Sequence, residues 1–340
     1  MKELSIFFRV LLLALVGFLL SACGGDGSGS GGGPVRMQMD TLSVRALAIE
    51  GQGQDMAVLT ETGQAVSWVG HLVFYQQDSQ NPDRLLNLGT ADLGVSTQGS
   101  FSIADLSYGP DWAVATIESN VTGVSTVNPP VFKRDFLLQV PGAVKASATG
   151  NWLLVATSTD LRLYDISNPA TPTPSQTISS GTQTIGMVAT MNGFFVSTEG
   201  GYLFIDPMNL GNVTKITNPD LAKAQKVYCY GSKLYLAGPS KFAGKSKIAR
   251  VDVSVPENPA IEVLEDTIDG EYFDFAFDGI DTCHILIDGE KIAKYKFAQN
   301  YLTFMGAAYL TSYGEKASQI FSHKGVCYFS SPDGLGIFKF

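Results

Sequence analysis

Histidine and cysteine, the usual ligands of zinc and haem, are too scattered in this sequence to form a clustered metal site. The three histidines are His71, His284 and His323, and none lies at a short spacing from another. Zinc sites need such ligands in close sets, so we expect neither a metal nor a cofactor. His284 falls inside a predicted strand, which favours an interior position. Three more cysteines, Cys229, Cys283 and Cys327, could include one disulfide or be free thiols, and the sequence does not decide between these alternatives.

Carboxylates are the next candidates, because eight of them crowd into residues 262–281. Six to eight oxygens coordinate Ca²⁺ in proteins, so this segment could hold a hard cation. Its spacing does not follow the Asp-x-Asp-x-Asp-Gly calcium loop, and the alternation predicts that Asp274 faces outward from a strand and Asp278 lies in a turn. We therefore interpret the segment as solvated acidic surface. No catalytic set is predicted, since Gly-x-Ser-x-Gly and phosphate-binding glycine loops are also missing from the sequence.

Cys23 is the one nucleophile whose surroundings indicate a definite modification. Basic residues flank an apolar run at 10–20, which is shorter than the roughly 20 residues that a spanning helix needs. Such a segment, ending in small residues, is typical of a removable secretory signal. The ending Leu20-Ser21-Ala22-Cys23 resembles the lipobox of bacterial lipoprotein precursors. The resemblance implies removal of residues 1–22 and lipidation of Cys23; the alternative is an ordinary secretory signal with an incidental cysteine.

Residues 23–34 are predicted to form a flexible tether behind the lipidated cysteine. Residues 24–33 contain only glycine, serine and one aspartate before Pro34. A stretch of this composition cannot bury a core and reaches roughly 15–20 Å on average. Gly24 stands where the inner-membrane retention signal of many such lipoproteins has aspartate. The resemblance therefore implies a lipid anchor in the outer membrane.

The charge of the chain excludes one class of partner. The net charge is −9 and becomes −10 without residues 1–22, which hold two basic residues and one acidic residue. An acidic protein is repelled by the phosphates of nucleic acids and by anionic lipid surfaces. We therefore expect no nucleic-acid partner, and we expect contact with the membrane through acyl chains alone.

Internal repeats predict the architecture of residues 35–340. A short apolar strand preceded by a turn recurs seven times at spacings of 40–56 residues. A period near 40 with several short strands per unit is typical of β-propeller blades. The sequence therefore predicts an all-β, seven-bladed β-propeller with four-stranded antiparallel blades. The repeated strands begin at Met56, Trp112, Leu153, Phe194, Leu234, His284 and Cys327.

Three predicted blades end their third strand in similar letters: LRLYDISNP at 161–169, YLFIDP at 202–207 and ARVDVS at 249–254. These segments resemble the LVIVD-repeat family of bacterial surface β-propellers, whose repeats close an apolar strand on Asp-Ile/Val-Ser-x-Pro. The resemblance implies a propeller at the bacterial surface and carries over no catalytic residue. An aspartate at a strand end also accepts backbone N–H bonds in the following turn. We therefore predict a turn role for these aspartates.

The N-terminal end of the predicted propeller domain, residues 35–340, is predicted to close the ring. The chain stops after the third strand of the last blade, which would leave a sheet edge open to pairing with another chain. Residues 35–39 alternate apolar and polar side chains. We predict that they form the outermost strand of the last blade.

Three segments, 76–88, 118–132 and 238–247, are longer than a minimal blade requires and are interpreted as inserts. Loops on a rigid scaffold commonly carry binding residues. The first choice for a partner-binding loop is 238–247, which carries Lys241, Phe242, Lys245 and Lys247. We predict a binding or scaffold module for an envelope protein or glycan. The alternative is a lactonase-like hydrolase with a hard cation in the central channel.

Overall fold

The structure is a computed structural model that describes residues 35–36, 44–64, 67–81, 84–97, 101, 104–127, 131–209, 213–278, 281–310, 316–331 and 334–339. The predicted signal peptide and tether, residues 1–34, lie outside these ranges and stay predictions. Within the described ranges, no helix has the length and apolar character needed to cross a membrane.

The described residues form seven antiparallel sheets of four strands each, which confirms the predicted seven-bladed β-propeller. Blade 1 consists of β2 (Val44–Gln52), β3 (Asp55–Gln64), β4 (Ser67–Gln77) and β5 (Leu85–Thr97). Blade 2 consists of β6 (Ala104–Tyr108), β7 (Trp112–Ile117), β8 (Asn120–Ser125) and β9 (Phe136–Gln139). Blade 3 consists of β10 (Ala143–Thr149), β11 (Trp152–Thr157), β12 (Leu161–Asp165) and β13 (Thr173–Ile178).

The next three blades repeat this order from the inside of the ring outward. Blade 4 consists of β14 (Thr184–Thr190), β15 (Gly193–Thr198), β16 (Gly201–Ile205) and β17 (Val213–Thr217). Blade 5 consists of β18 (Lys226–Tyr230), β19 (Lys233–Pro239), β20 (Lys245–Asp252) and β21 (Ala260–Asp269). Blade 6 consists of β22 (Tyr272–Phe277), β23 (Thr282–Ile287), β24 (Lys291–Phe297) and β25 (Leu302–Tyr309).

Blade 7 is completed by the N-terminus of the body. Its own strands are β26 (Gln319–His323), β27 (Val326–Ser331) and β28 (Gly334–Lys339), and β1 (Val35–Arg36) is the fourth. Strand β1 pairs antiparallel with β28, with Val35 opposite Ile337. The predicted ring closure is thus confirmed for residues 35–36, whereas residues 37–39 lie outside the described ranges.

The second strand of each blade contains one of the seven repeated apolar segments. In β11, β15, β23 and β27 nearly every residue is buried, including both faces of the strand. A strand covered on both faces by neighbouring blades needs a continuous apolar run, and this need explains the repeat. The turn before the strand uses glycine in the left-handed region at Gly150, Gly231 and Gly325, where other residues are strained.

The hydrophobic core is divided among the interfaces between blades. Each of the seven interfaces has its own cluster of buried apolar side chains among the described residues. The cluster that joins the last blade to the first contains Ile49 and Val58 of blade 1 and Tyr328 and Ile337 of blade 7. Because the first and last blades share a core, the ring is closed by packing as well as by β1.

Each of the three segments interpreted as inserts includes part or all of a regular strand. Residues 118–119 form a tight turn that leads into β8, so the segment 118–132 contains the third strand of blade 2. Strands β4 and β5 leave only 78–84 between them, and β19 and β20 leave 240–244. The segment 238–247 is therefore the tip of a hairpin, and we call residues 240–244 the hairpin loop.

Candidate functional site

The hairpin loop presents Phe242 to solvent, with 49% of its surface exposed. Lys241 lies over the Phe242 ring, with its Nζ 5.5 Å from the ring centroid. The same amine is 3.2 Å from Asp266 Oδ2 and 3.4 Å from Asp220 Oδ1. Lys245 forms an ion pair with Asp269. Both lysines thus form ion pairs with carboxylates of blade 5 or of the segment that precedes it. These pairs reduce the local basic charge that the sequence indicates.

Lys247 is buried and not on the surface of this loop. It lies at a β-bulge between β20 and β21, and only 5% of its surface is exposed. Its Nζ donates to the carbonyl oxygens of Asp220, at 3.2 Å, and Ala222. Burial lowers the pKa of Lys247 to about 8. The expected basic patch is therefore reduced to two paired lysines beside Phe242, and the binding role of the loop stays a prediction.

The acidic segment 262–281 is distributed over several environments. Glu262 accepts from Arg250 at 2.9 Å and also pairs with Lys233, whereas Asp281 lies 3.2 Å from Lys296. Asp274 corrects the prediction of an outward carboxylate, because only 4% of its surface is exposed. Within the ranges that the structure describes, no group of three or more histidine, cysteine, aspartate or glutamate side chains could hold a metal ion.

The strand-end aspartates make the predicted turn contacts. Asp165, Asp206 and Asp252 each accept the backbone N–H two residues further along, all at 2.8 Å. The three cysteines that sequence left open are free thiols, and Cys283 and Cys327 are buried. His284 is interior, as predicted, and burial lowers its pKa to about 3, so that the ring is neutral at pH 7.

The central channel contains a cavity of about 440 Å³ to which all seven blades contribute. A volume of this size lies within the usual range for small-molecule sites. The polar and charged lining comes from the innermost strand of each blade or the residue just before it. One such residue from each blade in turn is Glu50, Asp105, Lys145, Thr184, Lys226, Asp274 and Gln319.

A cluster of charged residues crosses the channel and joins blades that are not adjacent. Lys226 of blade 5 forms an ion pair with Glu50 of blade 1, and its Nζ is 3.4 Å from Asp274 Oδ1 of blade 6. The hydroxyl of Tyr228 donates to Glu50 Oε2 at 3.2 Å. Blade 7 is included because the N–H of Ile320 donates to Asp274 Oδ2 at 2.8 Å. We call Glu50, Lys226, Tyr228 and Asp274 the channel cluster.

Burial sets the protonation of the channel cluster. Burial raises the pKa of Glu50 to about 7, although the neighbouring Lys226 lowers it. Burial raises the pKa of Asp274 as well, again opposed by Lys226. Burial also disfavours the charge on Lys226, but the carboxylates of Asp274 and Glu50 outweigh this effect and raise the pKa of Lys226 well above its ordinary value. The cluster thus holds a protonated lysine, and Glu50 changes charge near neutral pH.

One end of the propeller carries the turns between first and second strands and the links between third and fourth strands. We call it the turn face. Two depressions on it, of about 630 and 580 Å³, share Met191, Asn192 and Phe204. The larger is lined by blades 1, 2, 4 and 5 and the smaller by blades 3 and 4, so that together they form one concave surface. The exposed fractions are 87% for Met191 and 83% for Met208.

More apolar surface continues toward blade 5. Tyr230 is 58% exposed and Val255 53% exposed, and Tyr230 also lines the larger depression. The turns and links of blades 3 to 5 contain Asp206 and Glu257 but no lysine or arginine. The turn face over these blades is therefore apolar with a negative balance of charge.

Sequence reasoning missed both the channel cluster and the turn face. A signal for the first exists, since Lys145, Lys226 and Asp274 each stand five residues before a glycine in the sequence. A polar residue repeated at one position of the innermost strand indicates a shared polar channel. The signal for the second is Met191, a large apolar residue in a two-residue turn, where an exposed side chain is expected.

No family model matches the chain. A search of curated proteins finds no match either. The resemblance to LVIVD repeats therefore stays a prediction. Several hundred solved chains match the fold, and three of them are described below.

A chain from the crystal structure of the mitotic checkpoint complex has a TM-score of 0.59 and 10% identity over 90% of this chain and 98% of its own length. Hsv2 of Kluyvelomyces marxianus has a TM-score of 0.53 and 11% identity over 87% of this chain and 93% of its own. A functionally unknown protein from Desulfotomaculum acetoxidans has a TM-score of 0.50 and 13% identity over 78% and 95%. At such identities these likenesses show the fold alone.

Proposed function

We propose that the protein is a binding module of the bacterial envelope, held at the outer membrane by lipid on Cys23, that captures a protein partner on its turn face. The observation that carries this proposal is the exposure of Met191 and Met208 beside one continuous depression. Contiguous exposed apolar surface of this kind marks interaction sites in soluble domains. Methionine adapts to irregular partner surfaces because its side chain is flexible and polarisable.

Charge defines the partner more closely. The turns and links around the depression carry acidic residues and no basic ones. Complementary charge steers association and suppresses wrong partners. We therefore expect a partner segment that places lysine or arginine beside an apolar anchor, so that the anchor contacts Met191 and Met208 and the basic groups approach Asp206 and Glu257.

The turn face is held in place before any partner binds. Tyr202 of blade 4 donates from its hydroxyl to the carbonyl oxygen of Pro256 in the link of blade 5, at 2.8 Å. Asp206 caps its own link through the N–H of Met208. Prolines 207, 256 and 259 restrict these links further. Such preorganisation lowers the entropy that binding must offset.

Site-specific photo-crosslinking in cells tests the surface. A photoreactive amino acid replaces Met208 in one variant and Phe242 of the hairpin loop in a matched variant. We expect a crosslinked envelope protein from position 208 and none from position 242, and we expect its yield to fall in high salt. A crosslink from position 242 alone would instead favour the hairpin loop, and a lack of crosslinks from both positions would contradict a protein partner on either surface.

The lipid anchor is tested separately. Cys23→Ser removes the acylated thiol, and one or more acyl chains are the only membrane attachment that we propose. We expect the variant to leave the membrane fraction or to accumulate as unprocessed precursor. Retention of a processed Cys23→Ser protein in washed membranes would contradict the anchor. Metal analysis of the purified protein addresses the hydrolase alternative, which predicts a stoichiometric divalent cation.

A further inference from the structure

Two residues that line the channel cavity, Thr184 and Tyr272, carry buried hydroxyl groups that lack a hydrogen-bond partner among the described residues. Only 5% of the surface of Thr184 is exposed. Buried polar atoms in native proteins almost always have a partner, supplied by protein, water or ligand. Because the two hydroxyls belong to blades 4 and 6, a single bound molecule in the cavity between them could satisfy both.

The charges of the cavity are already compensated by one another. Lys145 Nζ is 2.6 Å from Asp105 Oδ1, and Lys226 lies between Glu50 and Asp274. Each charged group of the lining therefore has an opposite charge beside it. A strongly charged ligand would have to break these pairs and leave a partly buried charge without its partner, which is unfavourable. A neutral ligand with many hydroxyl groups can bind without breaking them.

The remaining lining suits the two surfaces of such a ligand. Gln183 and Gln225 line the cavity with exposed side chains, and an amide offers both donors and an acceptor. Phe273 also lines the cavity and leaves 47% of its surface exposed. An aromatic ring buries apolar surface against the C–H face of a sugar ring.

We propose that the channel cavity binds a neutral sugar of one or two hexose units. Thr184 and Tyr272 exchange hydrogen bonds with its hydroxyl groups, and Phe273 packs against its C–H face. The cavity shares Tyr108, Val188 and Tyr228 with the larger depression of the turn face, but sugar binding in it does not depend on a protein partner. It gives an envelope protein a second, small-molecule input through the axis of the propeller.

The test uses the full-length lipoprotein in detergent, with binding measured by saturation-transfer NMR and calorimetry. The neutral probes are glucose, galactose, mannose and N-acetylglucosamine, together with their common disaccharides. Glucuronate and glucosamine are the charged counterparts. We expect saturable binding of at least one neutral probe at one site per chain, and binding of its charged counterpart that is about tenfold weaker or more.

Matched variants locate the site. Thr184→Val removes one unpartnered hydroxyl and should weaken the sugar about fivefold, the equivalent of one neutral hydrogen bond. Thr116→Val is the control, since Thr116 is also buried with an unpartnered Oγ1 but does not line the cavity. Neither change should lower the melting temperature without sugar. Phe273→Ala should lose binding, whereas Phe304→Ala, on the outer strand β25 and 55% exposed, should keep it.

Three results would overturn the proposal. The first is binding of the charged probes alone, and the second is an equal loss of sugar affinity in Thr184→Val and Thr116→Val. The third is a crystal structure, from crystals grown with the neutral probes, in which the cavity holds ordered water and no sugar. Crosslinking from position 208 in the Phe273→Ala variant separates this proposal from the proposed function, because the turn face is unchanged there. The two proposals can therefore fail independently.

Discussion

Blade 5 carries lysines beside carboxylates in two regions that differ in burial. In the channel cluster, Lys226 and its partners Glu50 and Asp274 keep 13%, 11% and 6% of their side-chain surface exposed. At the hairpin, Lys245 pairs with Asp269, whose side chain is 85% exposed. Both regions pair a lysine with carboxylates, and blade 5 supplies the lysine in each.

The difference teaches that the environment, and not the pairing itself, decides what an ion pair does. Water solvates the hairpin groups whether or not they touch, so the pair adds little. In the channel, water is largely replaced by protein, and removing one partner leaves an uncompensated buried charge. Lys247 lies in the same hairpin but is buried, and its Nζ donates to carbonyl oxygens and not to a carboxylate. Two lysines that are near neighbours in the sequence therefore differ both in burial and in the type of partner.

The largest expected effect comes from the channel cluster. Lys226→Met leaves Glu50 and Asp274 buried together without their cation, so we expect a loss of about 3–5 kcal/mol in the free energy of unfolding at pH 8. Urea denaturation followed by tryptophan fluorescence measures it. The loss should be smaller at pH 5, where the two carboxyl groups can be protonated. A loss below about 1 kcal/mol at pH 8 would place this cluster with the surface pairs.

The next effect is a pH dependence due to Glu50. Its pKa is about 7 in the folded protein against an ordinary 4.5, so between these values the folded state holds a proton that the unfolded state releases. The stabilisation is therefore complete below pH 4.5 and is lost as the pH rises toward 7. Gln cannot titrate, so the free energy of unfolding of Glu50→Gln relative to the parent should rise by about 2 kcal/mol from pH 5 to pH 8.

The control for this pH dependence is Glu257→Gln, at an exposed carboxylate on the turn face. Its difference from the parent should be flat over the same range, because the exposed side chain is surrounded by water in the folded and unfolded chains alike. If the free energies of unfolding of the two variants, each relative to the parent, change in the same way with pH, then Glu50 does not titrate near neutral pH.

The blades were predictable because each one repeats the same local signals. The second strands are continuous apolar runs bounded by turns, and the alternating residues before blade 1 indicated ring closure through β1. Both depend on local pattern and on the need to cover a sheet edge. The strand-end aspartates, such as Asp165, were predictable for the same reason, since their partners lie two residues away.

The channel cluster was not predictable from local pattern. Glu50 and Lys226 meet only because the ring closes and brings blade 1 opposite blade 5. Asp274 was assigned to the outside by strict alternation, but the pairing of β22 with β23 shifts register between Tyr272 and Asp274. A bulge of this kind re-aims the following side chains, so Phe273 becomes exposed and Asp274 buried.

The smallest expected effect is at the hairpin, where Lys245→Met removes one partner of an exposed ion pair. We expect no measurable change in the urea midpoint, because Asp269 is solvated with or without the lysine.

The same substitution also tests the sequence-based binding loop, since Lys245 was expected to steer a partner. If Phe242 anchors a partner there, Lys245→Met should weaken capture mainly at low salt, whereas Phe242→Ala should weaken it at every ionic strength. If both variants capture the partner as well as the parent does, and the crosslink from position 208 is retained, the turn face is left as the binding surface. If Lys245→Met destabilises the protein as much as Lys226→Met does, the distinction between the two regions is contradicted.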